Sequence, residues 1–207
     1  MKRLVRSPYF WGLLIGCATV TLIRPLLRRE PAAPPVLRPL PRFELVAADG
    51  TAFGSDALRG HVYVANFFST RCADTALPTM HGMATLQRLY REAGIDSIRL
   101  VSISADPAYD TPERLRAAQA IFGVDPARWV LLTGGLEEIR LLAEQGFQVP
   151  FGDEAAGVSG ACDAVHPSPL MLVDTQGGLR GIYDARDTGV DEVFWRSRHV
   201  LRDAQER

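Results

Sequence analysis

The chain has 207 residues, of which 47% are hydrophobic and 23% are charged, with a formal net charge of −1 at pH 7. This length accommodates one domain with appendages, and the apolar fraction is sufficient for an ordinary core. Acidic and basic residues are interspersed, so the charge pattern gives no indication of a nucleic-acid-binding protein.

The first 27 residues have the pattern of a membrane anchor. Three basic residues precede an uncharged, apolar run over residues 7–23. If Arg24 extends towards the interface, residues 9–27 reach about 28 Å at 1.5 Å per residue, close to the thickness of a bilayer core. We therefore predict one membrane-spanning helix within residues 1–27. Basic residues on both sides of the run leave its orientation open.

Lipidation at Cys17 is the alternative for this segment. The residues Leu14-Ile15-Gly16-Cys17 are similar to the cleavage box of bacterial lipoproteins. However, apolar residues continue past Cys17 to Ile23, whereas mature lipoproteins usually become polar there. The uncleaved anchor is the preferred interpretation.

A proline-rich stretch follows the apolar run. Six prolines lie between Pro25 and Pro41, with little apolar periodicity, which is typical of a stiff, extended spacer. We predict a linker over residues 28–41 and a folded domain over residues 42–207.

The domain opens with strand patterns. Residues 43–46 alternate like a strand, Asp49-Gly50 is a hairpin turn signal, and residues 51–53 complete a β-hairpin. Residues 61–68 form a longer apolar strand pattern. Pro78 suits the first turn of a helix, which we predict to run to about residue 91.

The remaining elements alternate between strands and helices. We predict strands over 98–103 and 129–132, helices over 111–123 and up to 146, a closing hairpin of 170–173 with 179–183, and a last helix over 190–202. This order implies βαβ crossovers with an antiparallel edge. It predicts an α/β, thioredoxin-like sandwich with an N-terminal β-hairpin, preceded by one transmembrane helix.

Cys72 is the residue with the clearest chemical meaning. It follows the apolar strand and precedes a helical pattern, where backbone N–H groups and the helix dipole favour thiolate over thiol. The thiolate binds soft metals and attacks disulfides. Position 76, where a CxxxC pair would carry its second sulfur, is Ala76. The loop therefore offers one local cysteine.

Four separated stretches resemble the signatures of the Sco/SenC family of membrane-tethered copper-handling proteins. They are Phe67-Phe68-Ser69-Thr70-Arg71-Cys72-Ala73-Asp74; Ser102 to Pro107 with Asp110-Thr111-Pro112; Trp129 with Leu132-Thr133-Gly134; and His166-Pro167-Ser168 with Leu172-Val173-Asp174. The resemblance implies a thioredoxin-like domain, of the type that Sco proteins and peroxiredoxins share. It also implies a location on the outer face of a bacterial inner membrane.

The resemblance also implies a metal site. In the family, two cysteines three residues apart and a distant histidine bind copper. Here Cys72 and His166 match, and Ala76 does not. Cu(I) favours thiolate and imidazole ligands, and Cys162 is a candidate third ligand because it lies four residues before His166. In an oxidising compartment Cys72 and Cys162 could instead form a disulfide, with Cys162 resolving Cys72.

Other side chains near these residues are weaker candidates for a role in the metal site. Asp74 and Asp163 are candidates to orient the imidazole or tune the thiolate from outside the ligand set. Met80 and Met83 share a helix face, which more often indicates core packing than metal ligation. The remaining histidines, at positions 61, 81 and 199, are predicted to be ordinary surface or strand-start residues.

Three functions are compatible with the sequence. The first is a periplasm-facing Cu(I)-binding and transfer protein that assists assembly of a respiratory oxidase, with a cytochrome c oxidase subunit or another copper or thiol protein as partner. The second is a thiol–disulfide redox protein or sensor that uses Cys72 and Cys162. The third is a metal-free docking module that retains the fold.

Overall fold

The structure is a computed structural model and describes residues 8–27, 32–152 and 169–206; the side chains of residues 8, 10, 24–27, 73–75 and 187 lie outside this description. The chain divides into two compact units, Met1–Ala32 and Ala33–Arg207. The second unit contains all the β-structure that is described.

The first unit contains helix α1 (Pro8–Leu27), whose described side chains are exposed. Within the described part of the chain, no helix combines the length and the apolarity needed to cross a membrane. The membrane-spanning helix predicted within residues 1–27 is therefore not confirmed.

Eight strands of the described chain form one mixed sheet in the order β1-β8-β7-β4-β5-β6-β2-β3. They are β1 (Arg38–Pro39), β2 (Glu44–Ala47), β3 (Ala52–Gly54), β4 (Val62–Phe68), β5 (Ile98–Ser104), β6 (Trp129–Thr133), β7 (Leu170–Val173) and β8 (Gly178–Tyr183). The central strands β4, β5 and β6 are parallel, and the outer pairs are antiparallel. The predicted α/β sandwich with an N-terminal hairpin is confirmed.

Four further α-helices lie in the described part of the second unit: α2 (Ala73–Glu92), α3 (Pro112–Phe122), α4 (Leu136–Leu141) and α5 (Asp187–Gln205). A π-helical turn, Leu142–Phe147, continues α4. Helix α3 ends at Gly123, which adopts the left-handed conformation at φ 64°, as the sequence predicts for a helix stop.

Helix α2 begins earlier than predicted. Its first residue is Ala73, directly after Cys72, and it continues through Pro78. A proline ring normally disfavours a helix interior because it lacks an N–H donor and clashes with the preceding turn. Here Ala76, in the turn before Pro78, is buried in the same apolar layer as Met80 and Met83, and this tertiary packing favours the earlier start of the helix.

The sheet separates two apolar layers. One layer packs under α4 and the π-helical turn and includes Phe67, Ile103 and Phe147. The other packs under α2 and α5 and includes Phe68, Met80, Met83, Tyr90, Leu100, Trp129 and Phe194. Parallel strands that are buried on both faces read as continuous apolar runs, which is why β4 and β5 are recognisable in the sequence.

A buried ion pair next to β8 contacts the proline-rich segment that precedes β2. Arg180 Nε lies 2.7 Å from Asp174 Oδ2, and both side chains are less than a tenth exposed. The same guanidinium donates a 2.6 Å hydrogen bond from Nη1 to the carbonyl of Pro34, and Leu37 N donates to Leu179 O at 2.7 Å. Part of the predicted linker therefore packs along the edge of the sheet.

Replacing Arg180 by methionine is expected to lower the free energy of unfolding by about 3–5 kcal/mol, because it leaves the Asp174 carboxylate buried without its cation. Urea unfolding followed by circular dichroism measures this change. Arg59→Met is the control: Arg59 pairs with Asp56, but both side chains are more than half exposed, so it should change stability by less than about 1 kcal/mol. Equal effects of the two substitutions would contradict the role given to Arg180.

Candidate functional site

Cys72 lies between the end of β4 and the start of α2. It is the N-cap residue of α2, and its N–H donates to Ser69 O at 3.2 Å. Its carbonyl accepts from Ala76 N at 2.8 Å, which closes the first turn. The residue is 6% exposed. Its sulfur is not a free thiol in the structure, whereas Cys17 is free and exposed.

The loop before Cys72 is held by the carboxylate of Asp110. This carboxylate is fully buried and accepts from the Thr70 N–H, at 3.3 Å and 3.2 Å to its two oxygens. The Thr70 hydroxyl donates a short hydrogen bond to Oδ1, and Ser104 Oγ donates to Oδ2 at 2.5 Å. Three neutral donors thus satisfy one buried charge, which fixes the backbone two residues before the sulfur.

Two further contacts join the same loop to the turn after β5. Ala105 N donates to Phe68 O at 2.7 Å, extending the parallel pairing beyond the last residues of the strands. The Arg71 guanidinium lies 3.0 Å from the carboxylate of Asp106, whose side chain is 9% exposed. The second family-like stretch, Ser102 to Pro112, therefore acts mainly as a support for the cysteine loop.

A buried polar network lies among the strands below this loop. Ser102 Oγ donates to Asn66 Oδ1 at 2.5 Å, and Trp129 Nε1 donates to Ser102 Oγ at 2.8 Å. Asn66 Nδ2 lies 3.8 Å from the sulfur of Met80. All four side chains are fully buried. The network links β4, β5, β6 and α2, and it accounts for Trp129 in the third family-like stretch.

The two methionines near the cysteine are core residues. Met80 and Met83 are both 0% exposed and belong to the apolar layer under α2 and α5. The core-packing alternative is therefore confirmed. His81, on the same helix, is exposed as expected.

Ala76 lies one turn into α2, where its side chain is 4% exposed and packs in the same apolar layer as Phe68. A second sulfur at this position would lie one helical turn from Cys72, on the same side of α2. The chain has a methyl group there instead.

The other predicted site residues fall outside this geometry. Cys162, Asp163 and His166 lie outside the described residues, and so does the side chain of Asp74. Within the described part of the chain, no group of three or more His, Cys, Asp or Glu side chains could hold a metal ion. His199, predicted to be an ordinary surface residue, is half-buried, and its Nδ1 is buried without a described hydrogen-bond partner.

The sequence reasoning missed the residues that position Cys72. Thr70 and Asp110 both lie within the family-like stretches, but no local pattern joins residues 40 positions apart. The available signal was the resemblance itself, because a specific match at Asp110 outside any helix or strand favours a functional role over a packing role.

Asp110→Asn should loosen the cysteine loop, since the amide NH2 replaces one acceptor oxygen and would face a donor. We expect the free energy of unfolding to fall by about 1–3 kcal/mol, and Cys72 to be alkylated faster by iodoacetamide in a reduced Cys17→Ser, Cys162→Ser chain. The control is Asp56→Asn, an exposed carboxylate, which should leave both quantities unchanged. An unaltered alkylation rate in Asp110→Asn would show that this carboxylate does not hold the loop.

Comparison with known proteins places this geometry in a family. The SCO1/SenC family model matches residues 35–201. A protein of Stutzerimonas stutzeri described as copper-binding is 31% identical over 144 residues, which cover 70% of this chain and 68% of the relative.

Two solved structures are similar throughout the domain. A SCO1/SenC family lipoprotein from Bacillus anthracis has a TM-score of 0.68 and 28% identity, covering 79% of this chain and 95% of that one. The fold is also that of BsSco, described as having a disulfide switch and as a member of the Sco family of cytochrome c oxidase assembly proteins, with a TM-score of 0.73, 24% identity and coverage of 83% and 98%. The domain therefore has the thioredoxin-like fold of these structures, and the chain belongs to the SCO1/SenC family.

Proposed function

We propose that this protein binds Cu(I) and transfers it during the assembly of a respiratory oxidase, with Cys72, His166 and Cys162 as ligands. The observation that carries the proposal is the placement of Cys72. It caps α2 at the end of a parallel strand, in a loop that a buried carboxylate holds in place. The helix N-terminus favours the thiolate that Cu(I) requires.

The chemistry of the available side chains supports this assignment. Thiolate and imidazole are soft or borderline ligands that suit Cu(I), and Cys72 and His166 supply one of each. The related Stutzerimonas stutzeri protein is described as copper-binding. Because position 76 is an alanine, we infer that Cys162 supplies the sulfur that the local loop lacks.

Cu(I) titration of the reduced full-length protein against a chromogenic competitor tests the ligand set. We expect Cys72→Ser, Cys162→Ser and His166→Ala each to weaken the Cu(I) affinity by at least about tenfold, since loss of an outer-sphere partner alone can cost this much. Cys17→Ser should leave the affinity unchanged. If the wild type and all four variants compete equally poorly, the protein is not a copper protein.

Ala76→Cys provides a gain-of-function arm of the same titration. A sulfur at position 76 restores the spacing of two cysteines three residues apart and adds a soft ligand, so the Cu(I) affinity should rise above that of the wild type. Ala84→Cys is the matched control, because Ala84 is a partly buried alanine on the same helix. A rise with both variants would indicate non-specific thiol binding.

Thiol–disulfide exchange is the second candidate function. The observation that favours it is that the Cys72 sulfur is not a free thiol. The chain has three cysteines, and Cys17 is free, so we propose Cys162 as the disulfide partner of Cys72. Reduction would then release the two sulfurs that bind Cu(I), and one site would serve both functions.

A thiol count on denatured, full-length Cys17→Ser protein tests this pairing. We expect no thiol before reduction and two after it, because both remaining cysteines would be consumed in one intramolecular bond. Non-reducing electrophoresis separates this result from a disulfide between two chains. Two thiols in freshly isolated, unreduced protein would contradict the proposed disulfide.

The location of the protein belongs to the same proposal. We infer that the domain is attached to a bacterial inner membrane through residues 1–27 and faces the periplasm. Disulfide bonds persist in the periplasm, and a cytochrome c oxidase subunit is the partner that we propose there. Attachment by lipidation of Cys17 is the alternative. The related Bacillus anthracis protein is described as a lipoprotein.

A further inference from the structure

Two arginines lie over one tyrosine ring beside the cysteine loop. The Arg71 guanidinium carbon is 4.4 Å from the centre of the Tyr109 ring, and that of Arg114 is 3.6 Å from it. Arg114 Nη1 also donates to the carbonyl of Tyr109 at 3.2 Å. We call these three residues the arginine–tyrosine surface. A guanidinium placed over the face of a tyrosine ring is attracted electrostatically to the ring.

The positive charge of this surface faces solvent, while its counter-charge is buried. The Arg71 side chain is 51% exposed, but that of its partner Asp106 is only 9% exposed. Arg114 is exposed, and no carboxylate of the described chain forms an ion pair with it. The nearby Glu113 is engaged elsewhere, since its own N–H, the Thr111 hydroxyl and the charge of Arg116 lower its pKa.

The Asp106 carboxylate offsets the charge of Arg71, so the remaining positive charge of the surface is that of Arg114, which a bound anion would offset. A guanidinium without a carboxylate partner also presents a planar set of donors that matches a carboxylate. The surface is therefore complementary to an acidic ligand rather than to a basic or an apolar one.

The surface also lies within electrostatic range of the sulfur. Arg71 is the residue directly before Cys72, and adjacent Cα atoms are about 3.8 Å apart. An arginine side chain therefore stays within about one Debye length of the neighbouring residue at 0.1 M salt, where charges still interact. A partner that reaches Cys72 passes through the field of these two guanidinium groups.

We propose that the arginine–tyrosine surface docks an acidic segment of the partner protein whose sulfur exchanges with Cys72. The inference rests on the proposed function, in which Cys72 reacts with another protein, and adds the chemistry by which that partner is selected. Carboxylates next to the partner's reactive sulfur bind Arg71 and Arg114, and this orients the sulfur towards Cys72.

The rate of thiol–disulfide exchange with Cys72 measures this preference for an acidic partner. Once a thiol reductant has released Cys72, its thiolate attacks one sulfur of a partner disulfide. A bond forms between these two sulfurs, and the other partner sulfur leaves as a thiolate with the electron pair of the broken bond. The Cys17→Ser, Cys162→Ser chain, reduced before use, carries Cys72 as its single thiol. Its reaction rate therefore reports this site alone.

The probes are disulfide-linked dimers of a short peptide with one central cysteine, flanked by Glu, by Gln or by Lys residues. At low salt we expect the Glu peptide to react about tenfold faster than the Gln peptide, and the Lys peptide to react more slowly than both, as for electrostatic steering. Added salt should reduce these differences. Dithiodipropionate, a small anionic disulfide without a peptide chain, is tested separately. It distinguishes a site for small anions from a site for an acidic protein segment.

Arg114→Gln should reduce the ratio of the Glu rate to the Gln rate at least about threefold, within the range of steering effects. Arg116→Gln is the matched control: Arg116 is exposed on the same helix, and its charge acts on Glu113 and Asp49. It should leave the ratio unchanged. A Glu preference that responds to Arg114 but not to Arg116 supports the proposal.

Three results would overturn the proposal. One is equal rates with all three peptides. Another is a uniform slowing of all peptides in Arg114→Gln, which would indicate a purely structural role. The third is a preference for dithiodipropionate without any preference for the Glu peptide, which would indicate a site for small anions. The assay contains no copper, so its failure is distinct from a failure of the Cu(I) titration.

Discussion

The buried carboxylate of Asp110 is the constraint on which the arrangement around Cys72 depends. A charge with no exposure must be satisfied by donors, and here the donors are a backbone N–H and a hydroxyl of Thr70 and the hydroxyl of Ser104. Moving the cysteine loop would remove both Thr70 donors and leave the buried carboxylate with Ser104 alone, at a free-energy cost larger than that of an ordinary surface contact. The carboxylate thus holds the loop before Cys72 in one position.

The parallel register of β4 and β5 brings the parts of this platform together. Phe68 pairs with Ser104, so the residues after each strand emerge at the same edge of the sheet. Thr70 and Arg71 follow one strand, and Asp106 and Asp110 follow the other. The polar network of Asn66, Ser102 and Trp129 holds the same strands from below. An error of one residue in this pairing would turn alternate side chains to the wrong face.

The sequence predicted the bounds of strands better than the contacts between distant residues. Strands β4 to β8 were predicted to within about one residue because their apolar runs are continuous and their turns carry glycine. The start of α2 was wrong because Pro78 has the local signature of a first turn, and tertiary packing of the helix outweighed it. The link between Thr70 and Asp110 depends on the three-dimensional register of two strands, which no periodicity encodes. The family resemblance pointed to both residues without indicating their roles.

Arg180, which forms the buried ion pair with Asp174, connects parts of the chain that are synthesised at very different times. Arg180 also binds the carbonyl of Pro34, a partner 146 residues away in sequence. Contacts over such separations form only after a large entropy of loop closure has been overcome, and chains rich in them fold slowly. During synthesis, the proline-rich segment must wait until nearly the whole domain has emerged before it can dock. Its attachment to the sheet edge is therefore among the last steps of maturation, and a chain truncated before β8 would lack the strand with which β1 pairs.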